Sequence, residues 1–276
     1  MVTSKTDSAK AGKKRALLAG GIFLGILLVL GVLFYLMVLA LANRTPDDRG
    51  LLEQTLNYKY SSETASNGMK LHALLTKPSH VTLETINDNV TLTGKTGVNG
   101  GFFYGSQLLS IGVVNGMPIN REAGEYGSGG ENVKYARGTL VWDGASDSLS
   151  VQVVRHAAEL KVKDHTRFWA QGGISMSLKD DREWERKAAE EMAPFPDDKR
   201  LRSAAVYDDM GGLYLVVSET KGTLAEFREA LIEKIGAGTL VDGIFLDGDG
   251  SSQLLSKEAA LPGDSRPVVQ MLRIVK

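Results

Sequence analysis

Two aspartates, two glycines and two serines stand together in FLDGDGSS, residues 245–252, directly after an apolar run. Asp247 and Asp249 could act on an anomeric carbon, bind sugar hydroxyls or hold a cation. Gly248 and Gly250 permit backbone conformations and a close ligand approach that a side chain would block. The hydroxyls of Ser251 and Ser252, with the exposed amides of such a turn, suit an oxyanion. Ordinary turns use the same residue types. A calcium loop would place Asp247, Asp249, Ser251 and Glu258 at its positions one, three, five and twelve. Its sixth position, however, is Ser252 where that loop needs glycine, and the preceding segment reads as strand, not helix. No cofactor is otherwise indicated, and a looser calcium ion near Asp247 and Asp249 stays open.

A second stretch with chemical content is GVNGGFF, residues 97–103. Asn99 beside Gly100 and Gly101 lets the backbone pass close to a ligand while Phe102 and Phe103 wall it off, although a buried bulge would use the same residues. Arginines that could hold an anion head RSAAVY (Arg202) and GTLVW (Arg137). The four histidines, His72, His80, His156 and His165, have no metal-ligand spacing and read as surface or structural residues, His72 being the one worth testing. The absence of cysteine excludes disulfides, thiolate metal sites and a thiol nucleophile.

These residues need a scaffold, and the chain supplies mostly short β-type runs bounded by turn residues. AAVY and LYLVV, separated by DDMGG, predict a hairpin. TLAEFREALIEKIG predicts a helix over 223–235: Thr223 and Glu226 form a capping box, Leu224, Phe227, Leu231 and Ile235 share a face, and Gly236 stops it. DDREWERKAAEEM predicts a second, charged helical stretch, read as a surface insertion. The fold class expected is α+β, a strand-rich mixed-sheet domain with few helices over 69–276. Residues 43–68 are polar and read as a stalk.

The N-terminus carries a different message. Residues 16–42 contain no charge and exceed the roughly 20 residues that cross a bilayer as helix. Lys5, Lys10, Lys13, Lys14 and Arg15 precede them, so residues 1–15 are expected in the cytoplasm and the domain outside, on a single-pass cell-membrane protein. Ala40-Leu41-Ala42 resembles a signal-peptide cleavage site, and either reading exports the domain. The formal net charge of -1 gives no attraction to nucleic acid, and none is expected as a partner.

The order of the motifs resembles the phosphodiester glycosidase family. KLHALLTKP, NGGFF with its following hairpin, AQGG at 170–173, RSAAVYDDMGGLYLVV and TLAEFREALIEKIGAGTLVDGIFLDGDGSS follow one another as that family's elements do, over about residues 70–276. Two positions depart: Asp249 stands where the family usually has glycine, and Ser203 where it usually has threonine. The resemblance implies hydrolysis between a sugar's anomeric carbon and a phosphodiester in a sugar-phosphate or polysaccharide substrate. It assigns catalysis to Asp247, as nucleophile, base or sugar ligand, and to Arg202 as phosphate clamp, with Arg137 a second candidate. Asn99, Gly100, Gly101, Gly172, Gly173, Gly248, Asp249, Gly250, Ser251 and Ser252 would line the substrate site. A silent, membrane-anchored polysaccharide binder using the same cleft is the alternative.

Overall fold

The structure is a computed structural model that describes residues 57–275 and, in the N-terminal segment, Leu28, Gly31, Val32 and Tyr35, all four in helical conformation. The expected cytoplasmic tail, most of the expected membrane span and most of the expected stalk lie outside the described residues. Among the described residues no helix is long and apolar enough to cross a membrane.

Three sheets build the domain. The first has six strands in the order β1 (Tyr58–Thr64), β2 (Lys70–Thr76), β14 (Leu213–Ser218), β13 (Ser203–Asp208), β15 (Leu240–Phe245), β12 (Ile174–Ser175). The second runs β10 (Ser148–Val154), β9 (Arg137–Asp143), β11 (Phe168–Gly172), β7 (Gly112–Val114), β8 (Met117–Pro118). The third runs β17 (Ala260–Leu261), β16 (Leu254–Leu255), β4 (Gly97–Asn99), β18 (Val268–Ile274), β3 (Val81–Asp88). A small hairpin joins β5 (Phe103–Tyr104) to β6 (Gln107–Leu108). The pairings within the three large sheets are antiparallel throughout, so strand direction is not mixed in the way expected. The strand-rich α+β class is as the sequence indicates.

Side-chain alternation explains the layering. On β13, Ala204 and Val206 face the helical side while Ala205 and Tyr207 face the other two sheets, so this strand is buried on both faces. That is why its sequence reads as a continuous apolar run. Helix Leu224–Lys234 covers one face with Leu224, Phe227, Ala230 and Leu231. Its capping box is present: Glu226 N donates to Thr223 Oγ1 at 3.1 Å, and Thr223 N to Glu226 Oε2 at 2.9 Å. In the hairpin turn Asp208 accepts from the amides of Met210 and Gly212 and from the Tyr214 hydroxyl. Burial of Leu74, Leu215, Val217, Ile244 and Leu246 against Val98, Leu140, Trp169 and Leu272 closes the other side.

Two expectations change. The folded unit begins before Met69, because β1 pairs along its whole length with β2 and Thr76 Oγ1 donates to the Asn57 carbonyl at 2.5 Å. Its polar composition suits a sheet edge, where one face meets water. The charged stretch forms a short helix, Trp184–Glu190, but is not a decoration: Trp184 and Ala188 enter the core. Arg228 ties down the segment before it through the carbonyls of Met176, Ser177 and Leu178.

Candidate active site

The FLDGDGSS turn leaves β15 at the point where three distant segments meet. Leu246 N donates to the Ser203 carbonyl at 2.9 Å, Asp247 N to the Gly100 carbonyl at 3.2 Å, and Asp249 N to the Leu201 carbonyl at 2.7 Å. β13 and β15 pair Ala204 with Phe245. The Leu246 bond to Ser203 carries the contact one residue further, and Arg202 and Asp247 lie just outside the two paired strands. The two residues most expected to do chemistry thus flank neighbouring strands and line one cleft.

Asn99 is the knot between these segments. Its Oδ1 accepts from Ser203 Oγ at 2.8 Å and from Gln253 N at 3.1 Å, while Nδ2 donates to the carbonyls of Asp247 at 2.8 Å and Gly100 at 3.1 Å. Its capacity is spent on the framework, so it does not serve as the ligand contact expected. The hydroxyl retained at Ser203 makes one of these bonds.

A cleft of about 510 Å³ opens beside this junction. Of the expected site residues, Asp247, Gly248, Asp249, Ser251, Arg202 and Arg137 line it, together with Ser203. The remaining expected residues do not. A Cβ on Gly100 would lie 2.3 Å from the Gln270 side chain, one on Gly101 2.6 Å from the Gly172 carbonyl, and one on Gly173 2.2 Å from the Phe245 carbonyl. Gly172 would meet Asn132 and Gly250 would meet Asp264. These glycines allow backbones to pack, not a ligand to approach. Ser252 is buried behind the turn, with its Oγ unpartnered. His72 sits between the Tyr60 hydroxyl and Glu219, at 2.7 and 2.6 Å, and does not line the cleft.

Sequence reasoning missed Arg200, Arg266 and an apolar lining from Tyr104, Leu109, Ile174, Pro194, Phe195 and Leu224. Arg200 carried a signal, since two residues before Arg202 an extended chain presents the same face. Its guanidinium bonds Asp249 at 2.8 Å and Asp198 at 2.9 Å and stacks 3.9 Å from the Phe195 ring. That pairing accounts for the aspartate at position 249. Its backbone is left-handed, with φ 55°, the conformation in which glycine is at ease, and its charge is matched by Arg200. The segment after it continues into β16, so neither flank of the turn has the helices of a calcium hand.

The four lining arginines divide into two kinds. Arg200 and Arg266 are paired with aspartates, the latter with Asp264. Arg137 and Arg202 have no carboxylate within salt-bridge distance among the described residues. Backbone carbonyls hold them instead. Arg202, 5% exposed, donates through Nε to Gly222 and through Nη2 to Phe195 and Asp198, at 3.0, 2.9 and 2.6 Å. Arg137 donates through Nε to Glu191 at 3.0 Å and lies 5.1 Å from the Phe102 ring. Carbonyls orient a guanidinium without cancelling its charge. Burial, helped by the neighbouring Arg200 charge, pulls Arg202 down to about 10, and burial also lowers Arg137. Arg202 stays cationic at neutral pH, the charges of Asp198 and Asp249 opposing its shift, and the Glu191 charge opposes that of Arg137.

Asp247, half-buried at the same cleft, carries the opposite perturbation. Burial pushes its carboxyl up to about 6, against the hydrogen bonds from Ser251 and from Gly248 N, the latter at 3.1 Å. A carboxylate raised toward neutrality in a cleft that Arg202, Arg137 and Arg266 also line, and whose charge acts on Arg266, marks a candidate functional site.

Residues 93–275, more than half of the chain, match the family model of the phosphodiester glycosidases. The chain belongs to that family. Its phosphodiester glycosidase domain is a hydrolase domain acting on phosphodiester-linked sugar. No curated protein matches the sequence. Among solved structures, the catalytic domain of zebrafish N-acetylglucosamine-1-phosphodiester alpha-N-acetylglucosaminidase, auto-inhibited by its pro-peptide, is similar in fold. It superposes with a TM-score of 0.58 at 16% identity, over 81% of this chain and 85% of that one. A Burkholderia pseudomallei protein aligns with a TM-score of 0.49 at 15% identity, over 76% and 74% of the two chains. A Synechocystis protein aligns at 0.43 and 14%, over 78% and 61%. Within the phosphodiester glycosidase domain, the cleft beside β13 and β15 gathers Asp247, Arg202 and Arg137.

Proposed function

We propose that the chain is a membrane-anchored, extracytoplasmic hydrolase that cleaves a sugar-1-phosphodiester in a cell-surface or extracellular glycopolymer. The observation that carries this reading is one cleft lined both by Arg202 and Arg137, carbonyl-held and without a salt bridge among the described residues, and by Asp247, whose carboxyl burial raises. Arg202 and Arg137 take the phosphate oxygens, and Asp247 serves the anomeric carbon. The bond from that carbon to the phosphate oxygen breaks, a water oxygen ends on the sugar, and a phosphomonoester leaves. Phosphate leaves as a stable anion, so one free carboxylate suffices where an ordinary glycoside needs a second as acid. Asp249, held by Arg200, is not required for that role.

Release of free sugar from a panel of sugar-1-phosphodiesters by the detergent-solubilised full chain tests the reaction. Tight binding without turnover across the panel would instead favour a polysaccharide-binding protein. The uncharged run at 16–42 behind a basic cluster supports the anchor. Protease added to intact cells is expected to remove the domain, and a protected domain would refute the topology.

A pH profile follows from Asp247. Acting as nucleophile or base, it must be ionised, and its carboxyl titrates at about 6. Activity is therefore expected to hold above pH 6 and to fall about tenfold per pH unit below it. A rate that rises on acidification would instead make Asp247 an acid.

A further inference from the structure

One loop supplies carbonyls to both unpaired arginines. Glu191 and Met192 face Arg137, the first at 3.0 Å from Nε and the second at 3.4 Å from Nη2, while Phe195 and Asp198 receive Arg202 Nη2 at 2.9 and 2.6 Å. The loop is held in an unfavourable conformation to do so: Met192 and Phe195 are left-handed, with φ of 56° and 49°. Non-glycine residues persist there only where the surroundings over-determine them. Each half of the loop needs its own anchor. Downstream, Arg202 fixes it, and Leu224 N donates to the Pro196 carbonyl at 2.8 Å.

Upstream, the anchor is the side chain of Glu191, which is 3% exposed. Its Oε2 accepts from Gly138 N and Ser175 N, both at 2.8 Å, and so pins the loop to the adjoining ends of β9 and β12. Gly138 directly follows Arg137. The same residue therefore holds the arginine's backbone neighbour with its carboxylate and the arginine's Nε with its carbonyl. Its Oε1 is buried and unpartnered, and so is Ser175 Oγ, so no competing hydrogen bond draws the carboxylate elsewhere.

We propose that Glu191 is a positioning residue for the phosphate of the substrate: by bridging β9 to β12 it sets where the Arg137 guanidinium sits in the cleft. This rests on the cleft being a phosphodiester site. Glu191 touches no substrate, and its effect on anion binding passes through Arg137.

Calorimetric binding of inorganic phosphate to the full chain, with melting temperatures measured alongside, tests this without depending on turnover. Glu191→Asp keeps the charge but is one methylene short of bridging both amides, and is expected to weaken phosphate about tenfold. Glu191→Gln keeps the length and one acceptor oxygen, and is expected to stay within about threefold of wild type even where its melting temperature falls. In an Arg137→Met background, Glu191→Asp is expected to add less than about twofold. Wild-type affinity in Glu191→Asp, equal losses in the aspartate and glutamine variants, or an undiminished effect without Arg137 would each overturn the assignment. A wild-type chain that binds no phosphate overturns both this assignment and the phosphodiester reading. Phosphate binding with the expected pattern but no sugar release overturns the reading alone.

Discussion

Asp247→Asn is expected to reduce turnover of a sugar-1-phosphodiester by about 10²–10⁴-fold, the range typical for removing a positioned proton-transfer group. The same variant is expected to melt at a higher temperature at pH 7. Its sign follows from the direction of the shift. Burial raises the carboxyl from 3.8 to about 6, so the folded state disfavours the charge more than the unfolded chain does. Stability is therefore lost as pH rises through that window, and above pH 6 the full penalty applies, up to about 3 kcal/mol. Asparagine keeps the shape and an acceptor for Gly248 N but carries no charge to desolvate. The difference in melting temperature should close below about pH 4, where wild type is also neutral. A variant that keeps near wild-type activity would remove Asp247 from the chemistry, and one that melts lower at pH 7 would show that its charge is stabilising.

Arg202→Ala is expected to cost about 2–5 kcal/mol in kcat/KM, the scale for truncating a desolvated hydrogen-bonded charge. A solvent-exposed salt bridge would cost roughly 0–1 kcal/mol. The structure favours the larger figure because Arg202 is 5% exposed and lacks a carboxylate partner within salt-bridge distance among the described residues. Arg202→Lys keeps the charge but cannot reach Gly222, Phe195 and Asp198 while also presenting a planar edge to phosphate. It is expected to retain less than a tenth of wild-type kcat/KM while melting above the alanine variant. Steady-state kinetics and thermal unfolding on the same preparations separate the two effects. Unchanged rates in both variants would move the phosphate site to Arg137.

What could be read from the sequence was local. The long helix, its capping box and the β13–β14 hairpin are set by neighbours a few residues apart, and each stands where the pattern puts it. Asp247, Arg202 and Arg137 stood out as charged groups abutting apolar strands, and all three line one cleft. Asn99, Gly100, Gly101, Gly172 and Gly173 were misread for a physical reason: a glycine that lets a second backbone approach is indistinguishable, in one dimension, from a glycine that admits a ligand. Phe245, Ser203 and Gln270, the groups they accommodate or bond, are all distant in sequence. Arg200 and Arg266 went unremarked because only tertiary structure says which arginines are matched by aspartates. The role of Asp249 was opaque on the same ground.

The adjacency of β13 and β15 also bears on how such a cleft changes over evolutionary time. Arg202 and Asp247 lie just outside β13 and β15, two paired strands that are packed on both faces. Tyr104, Phe195 and Arg200 stand on hairpins and loops whose lengths can change without disturbing those strands. On the proposed reading, reactivity and selectivity sit on separate parts of the molecule. A change of phosphosugar then calls for rewriting the rim alone, while Arg202 and Asp247 keep their places beside the buried strands.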